Sequence, residues 1–204
     1  TARKNQYEYY REKLLNFENT VSLVPLKKIS TVLRGVRVVR KQLDSQNGYP
    51  VFQNSMTPLG YYKESNCPAG TTFVIGAGAA GEVGYSYTKF WAADDCYYIQ
   101  CSKDLNSRYI YHILLSYQMQ MISKVRRASV PRLSRSVIEN LIIPLPPLDE
   151  QRRIVSILDR FDALCNDLTQ GLPAEIEARK KQYEYYRDKL LSFKELAVGE
   201  KSNG

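Results

Sequence analysis

Apolar positions along this chain follow two rhythms. Towards the C-terminal end they recur at steps of three and four: Ile154, Ile157, Leu158, Phe161, Leu164, Leu168 and Leu172 stand between charged residues. Further on, Tyr183, Tyr186, Leu190 and Phe193 form a stripe at i, i+3, i+7 and i+10. That spacing marks one face of an α-helix. The stretch opens P-P-L-D-E-Q, where Pro147 can start a helix and Asp149 and Glu150 suit the positive end of its dipole. Gly171 and Pro173 break or kink it once, predicting two helices in line or one long helix bent near Gly171. If straight, residues 149 to 193 would span roughly 68 Å at about 1.5 Å per residue. A small core cannot cover so long a stripe, so a second helix is expected against Leu158, Phe161, Leu168, Ile176, Tyr183, Tyr186, Leu190 and Phe193. The alternative is that these helices fold back onto the rest of the chain.

From 21 to 147 the rhythm changes. Short β-branched and aromatic runs, T-T-F-V-I at 71 to 75 and C-Y-Y-I-Q-C at 96 to 101, alternate with turn signals at Gln46-Asn47-Gly48 and Pro58-Leu59-Gly60. One helix is predicted from Ser107 to about Ser123, with Ile110, Ile113, Leu114, Tyr117 and Met121 on a face. The fold class is therefore α+β: one globular, β-rich domain plus long helices forming an antiparallel, coiled-coil-like spacer.

A repeat frames the β-rich block. A-R-K-N-Q-Y-E-Y-Y-R-E-K-L-L-N-F at 2 to 17 returns as A-R-K-K-Q-Y-E-Y-Y-R-D-K-L-L-S-F at 178 to 193, with thirteen of sixteen positions identical. Two copies 176 residues apart do not make a solenoid. They look like one helical unit of a longer cyclic pattern with a domain inserted between successive copies. The expected organisation is a helical tail at 1 to 20, a recognition-type domain at 21 to 147, a helical region at 148 to 196 and a flexible tail at 197 to 204.

Charge sharpens this division. The net charge is +8, and between Thr20 and Pro147 there are 15 Lys and Arg against 7 Asp and Glu, while the flanks carry 14 of each sign. All of the excess positive charge sits in the middle block, so a polyanion such as nucleic acid is expected to bind there. No apolar run approaches a membrane span, and T-A-R-K-N-Q is too polar for a signal peptide, so no membrane partner and a cytoplasmic location are expected. Cys67, Cys96, Cys101 and Cys165 form no C-x-x-C pair, which suits reduced thiols, and the single His112 has no partner spaced for a metal.

Gly76-Ala77-Gly78-Ala79-Ala80-Gly81 fits G-x-G-x-x-G after a predicted strand, the setting of a dinucleotide or methyl-donor site. Such a site needs a helix beginning at the last glycines, yet E-V-G-Y-S-Y-T-K-F-W continues as a strand. The glycines are read as a turn, and no cofactor is expected. Asp94-Asp95, taken as adjacent strand residues pointing to opposite faces, and His112, taken as packed or solvated, give no catalytic constellation. The chain is expected to be non-catalytic.

DNA contact has clearer candidates. K-V-R-R-A-S-V-P-R-L-S-R from 124 to 135 is a basic loop around Pro131, offering Arg126, Arg127, Arg132, Ser134 and Arg135 for phosphates or base edges. A solvated basic loop is the alternative. Arg34, with Arg37, Arg40 and Lys41, forms a second cluster around Gly35, and Lys63 and Lys89 lie near turns.

These residues carry a resemblance. P-L-P-P-L-D-E-Q-R-R-I-V-S-I-L-D-R-F-D-A-L and the later A-R-K-K-Q-Y-E-Y-Y-R-D-K-L-L-S-F resemble the conserved helical region of type I restriction–modification specificity subunits. Residues 21 to 147 are similar to their target-recognition domain, with V-P-L-K-K-I near its start, F-W-A-A-D-D-C-Y-Y-I after the glycine turn, and V-P-R-L-S-R before I-P-L-P-P-L. The resemblance implies a non-catalytic subunit that reads double-stranded DNA, docks methyltransferase (modification) subunits and, through the complex, a restriction and translocation subunit. With one recognition domain, two copies would have to self-associate, as a dimer or larger, to read two inverted half-sites. A DNA-binding adaptor or transcriptional regulator with a dimerising coiled coil is the competing reading.

Overall fold

The computed structural model describes residues 2–15, 17, 21–127, 129–163, 181 and 184. The chain divides into two compact units, 1–160 and 161–204. Helix α1 (Ala2–Leu15) is the first repeat copy. Strands β1 (Ser22–Pro25), β2 (Ser30–Arg34), β3 (Tyr49–Phe52), β4 (Tyr61–Tyr62), β5 (Thr71–Ile75), β6 (Val83–Ser86), β7 (Trp91–Ala92) and β8 (Cys96–Cys101) follow. After them come α2 (Ser107–Ser116), α3 (Gln118–Ser123), α4 (Arg135–Glu139), β9 (Ile142–Leu145) and a helix α5, described over 148–163. The α+β class holds, and T-T-F-V-I and C-Y-Y-I-Q-C are the strands β5 and β8.

Three small sheets build unit 1. The main one is antiparallel in the order β2-β8-β5-β6, with Arg34 opposite Tyr97, Ile75 opposite Cys96 and Val74 opposite Val83. Those pairs place the end of β2, the start of β8, the end of β5 and the start of β6 at one end of the sheet. Its five β5 residues are all buried, Thr71 and Thr72 included, which explains why the strand carries no charged position and does not alternate. A second sheet, β4-β3-β7, pairs β3 with β7 in parallel. Between the two, Phe52, Phe73 and Phe90 pack with ring centroids 4.6 to 5.6 Å apart. In the third, β1 runs antiparallel to β9, Ser22 opposite Leu145, and joins the two ends of the domain.

The expected single helix from 107 to 123 is two. Asn106 caps α2 by accepting from the backbone N–H groups of Arg108 (2.8 Å) and Tyr109 (3.3 Å), but at Tyr117 the backbone turns to φ −90°, ψ 1°, outside helical values, and α3 starts afresh. The apolar face survives the break: Ile110, Ile113, Leu114 and Met121 are all buried. The main core gathers them with Leu26, Val32, Val74, Ile99, Ile138 and Ile143, and also with Leu15 of α1 and Ile154 and Leu158 of α5. The beginning of α5 thus buries its stripe in unit 1. Phe161 is half-buried at the start of unit 2; Leu168, Ile176, Tyr183, Tyr186, Leu190 and Phe193, with Gly171, lie outside the described residues.

Gln151 and Asp159 fasten α5 within unit 1. Gln151, fully buried, donates its Nε2 to the carbonyls of Asp104 (3.1 Å) and Pro146 (2.9 Å) and accepts at Oε1 from the Asn106 N–H (2.9 Å). Asp159 Oδ1 accepts from Arg108 Nε and from His112 Nε2, both at 2.9 Å. The Arg108 guanidinium lies 4.5 to 5.2 Å from the ring centroids of Tyr85, Tyr87 and Tyr111. His112 is completely enclosed. Burial pulls its pKa down to about 4 against the raising effect of Asp159, so at neutral pH it is an uncharged Nε2–H donor.

Candidate nucleic-acid interface

The loop end of the main sheet is organised by the glycine turn. Val83, not a helix N-terminus, follows Gly76–Glu82, so the dinucleotide geometry is absent. Gly78 has φ +78°, and a Cβ there would stand 2.7 Å from the Asn54 carbonyl oxygen; only glycine tolerates both. The gain from this close approach is a set of backbone bonds to the basic loop. Gly78 N–H donates to the Pro131 carbonyl (3.1 Å), Leu133 N–H to Gly76 (2.8 Å), and Ala77 bridges Arg132. Arg126 and Arg132 in turn exchange backbone bonds of 2.9 and 3.1 Å, an antiparallel bridge that holds the two residues side by side.

Asp94 and Asp95 are not in a strand, as the sequence pattern suggested; they form the tight turn that enters β8 at this same end. The Asp94 carbonyl accepts from Arg34 Nε at 2.6 Å, its carboxylate from Gln53 Nε2 at 3.4 Å, and the Asp95 carboxylate pairs with Arg132 Nη1 at 3.3 Å. The reason sequence reading missed this is separation: the partners lie 60 and 37 positions away in the chain. Only the excess of Arg over Lys around two turns hinted at a shared site.

The structure therefore brings Arg34, Arg126, Arg127 and Arg132 to one end of the sheet, all exposed. Arg126 and Arg127 engage no side-chain partner among the described residues. Ser134 stands at the N-cap of α4, its hydroxyl 2.7 Å from that of Ser136, and Arg135 is paired to Glu139 one turn on, at 3.1 Å. Lys63 and Lys89 are placed elsewhere. Lys63 follows Tyr62, opposite Tyr49, and Lys89 precedes β7, so both lie towards the Tyr49 end of the second sheet, away from Asn54 and the glycine turn. Lys63 is 77% exposed beside Glu64 at 3.5 Å.

Other chemistry is thin among the described residues. No cluster of His, Cys, Asp and Glu could hold a metal ion, and no helix is long and apolar enough to cross a membrane. Cys67, Cys96 and Cys101 are free thiols; burial pushes Cys67 up to about 12, Cys101 up to about 11 and Cys96 well above the ordinary thiol range, so none is a reactive thiolate at neutral pH. Cys165 lies outside the described residues.

A basic α+β domain that presents guanidinium groups on a glycine-braced loop end, carried between helices, is the class that fold and surface define. The model of the type I restriction modification DNA specificity domain matches residues 18–178, and the chain belongs to that family. The proposed type I specificity subunit S.MpnORF201P of Mycoplasma pneumoniae is 33% identical over 206 residues, covering 94% of this chain and 86% of the relative. The type I restriction enzyme MpnII specificity subunit of the same organism is 33% identical over 205 residues, 94% of this chain and 62% of the relative. The crystal structure of a type I restriction-modification S subunit from M. genitalium superposes with a TM-score of 0.65 at 20% identity, over 89% of this chain and 49% of that one, a likeness of fold. The chain thus spans about half the length of that solved subunit.

Proposed function

We propose that this chain is the non-catalytic, sequence-specific DNA-binding specificity subunit of a type I restriction–modification system, and that it pairs with a second copy to read a bipartite, interrupted site. Residues 21–147 act as the reader, and 148–196, with the tail 1–20, act as spacer and docking region. The two copies pack their helices antiparallel through the stripe from Phe161 to Phe193, Leu158 being already buried in the core of its own chain, and present two readers in inverted orientation. Modification subunits and the restriction and translocation subunit then act where the readers hold the duplex.

The observation that carries this reading is the convergence of Arg34, Arg126, Arg127 and Arg132 from two separate stretches onto one braced loop end, inside the block of the chain that holds the excess positive charge. Membership of the specificity family supports it. The test is co-purification with a type I modification subunit from the same genome, followed by methylation mapping of exposed DNA. Adenine methylation confined to one interrupted inverted repeat is expected. Methylation that does not depend on this chain would instead favour a DNA-binding adaptor or regulator.

A further inference from the structure

We infer that Arg132 reads a guanine, aimed at it by Asp95, whereas Arg126 and Arg127 grip phosphate. The inference rests on the DNA-reading function proposed above and assigns roles within it. Base readout by arginine needs a fixed fork: two N–H groups must meet O6 and N7 of guanine together, so a guanidinium must be held in orientation before DNA arrives. Phosphate contact needs only a mobile positive charge.

Among the cationic side chains of the 124–135 loop, Arg132 is held most completely. Its backbone is bridged on one side to Ala77 of the glycine turn and on the other to Arg126. Its side chain is 58% exposed, yet Nη1 is bound to the Asp95 carboxylate, itself only 20% exposed and rooted at the start of β8. Asp95 is anchored further by its carbonyl, which accepts from the Gly76 N–H at 2.7 Å. One nitrogen of the fork is thus occupied, while Nε and Nη2 remain for a bidentate contact. Arg126 and Arg127 have no such tether, and Arg135 is spent on Glu139 along its own helix. Asp95 touches no base in this scheme; it is a positioning residue. Its carboxylate also repels phosphate, which keeps Arg132 from settling on the backbone instead.

Arg132→Lys separates the two roles, because it keeps the charge and loses the fork. The full-length chain, its Arg132→Lys, Asp95→Ala and Arg127→Ala variants are each taken through selection from a random duplex DNA pool, with binding measured against salt. Wild type is expected to enrich a motif. Arg132→Lys should lose preference at one guanine by about tenfold to a hundredfold while retaining the slope of affinity against salt. Asp95→Ala should relax the same position and bind non-specific duplex at least as tightly as wild type, an outcome that a merely structural salt bridge would not give. Arg127→Ala should weaken all sequences alike and lower the salt slope by about one. A wild-type motif that Arg132→Lys or Asp95→Ala leaves intact overturns the assignment alone. A wild-type chain that enriches no motif overturns the DNA-reading function, and this assignment with it.

Discussion

His112 sets a pH response at the scale of a single residue. His112 has its pKa lowered by burial from 6.5 to about 4, so the unfolded chain binds more protons than the folded one between those values. The sign follows: stability is full above pH 6.5, declines as pH falls towards 4, and the loss amounts to about 3 kcal/mol at most. Chemical denaturation between pH 4.5 and 7.5 should show that slope in wild type, and His112→Gln should flatten it. Arg108→Ala is a harsher change. It removes a guanidinium that is 9% exposed, with its ion pair to Asp159 and three tyrosine rings, and should cost about 2 to 4 kcal/mol, read as a fall in denaturation midpoint at unchanged slope.

Elements depend on caps and turns more than on propensity. Asn106→Ala should cost about 1 kcal/mol by uncapping α2, whereas Gly78→Ala, forcing a Cβ against the Asn54 carbonyl at positive φ, should cost about 1 to 3 kcal/mol and loosen the Ala77–Arg132 bridge as well. Thermal melts check the first; hydrogen exchange at the Leu133 amide checks the second. These elements also show what the sequence made legible. β5 and β8 could be read because β-branched and aromatic residues cluster between turn residues, and α2 because its apolar spacing is helical. The break at Tyr117 could not, since the apolar stripe runs through it from Ile113 to Met121 without interruption. β3 and β7 were invisible for another reason: each is four residues or fewer, and their parallel register joins Val51 to Trp91 across forty positions. At the candidate interface the arginines were evident from composition. Their bracing by Asp94, Asp95 and the glycine turn was not, because those contacts exist only once three loops meet.

For the whole molecule, charge and geometry make separable predictions. All the excess positive charge lies between Thr20 and Pro147, so DNA affinity should fall steeply with salt, and replacing acidic or basic residues of 178–193 should leave that slope unchanged in a filter-binding titration. The helices instead govern spacing under the proposed pairing. Four residues inserted near Gly171 would add about 6 Å to a straight helix, close to two base-pair rises, and the methylated motif should lengthen its gap accordingly. An unchanged gap in that variant would remove the helices from any role as a ruler.

The pairing of β1 with β9 has a consequence for how such a chain can change. Ser22 faces Leu145 across one antiparallel ladder, so the polypeptide enters and leaves the β-rich domain at neighbouring points. Whatever lies between Pro25 and Ile142 can be replaced by genetic exchange without moving either doorway. Provided an incoming domain rebuilds that two-stranded clasp, presents an apolar patch to Leu15, Ile154 and Leu158, and keeps hydrogen-bond partners for Gln151 and Asp159, the surrounding helices would not register the substitution. New sequence preference would then arise by splicing rather than by stepwise mutation, with the assembly around it left intact.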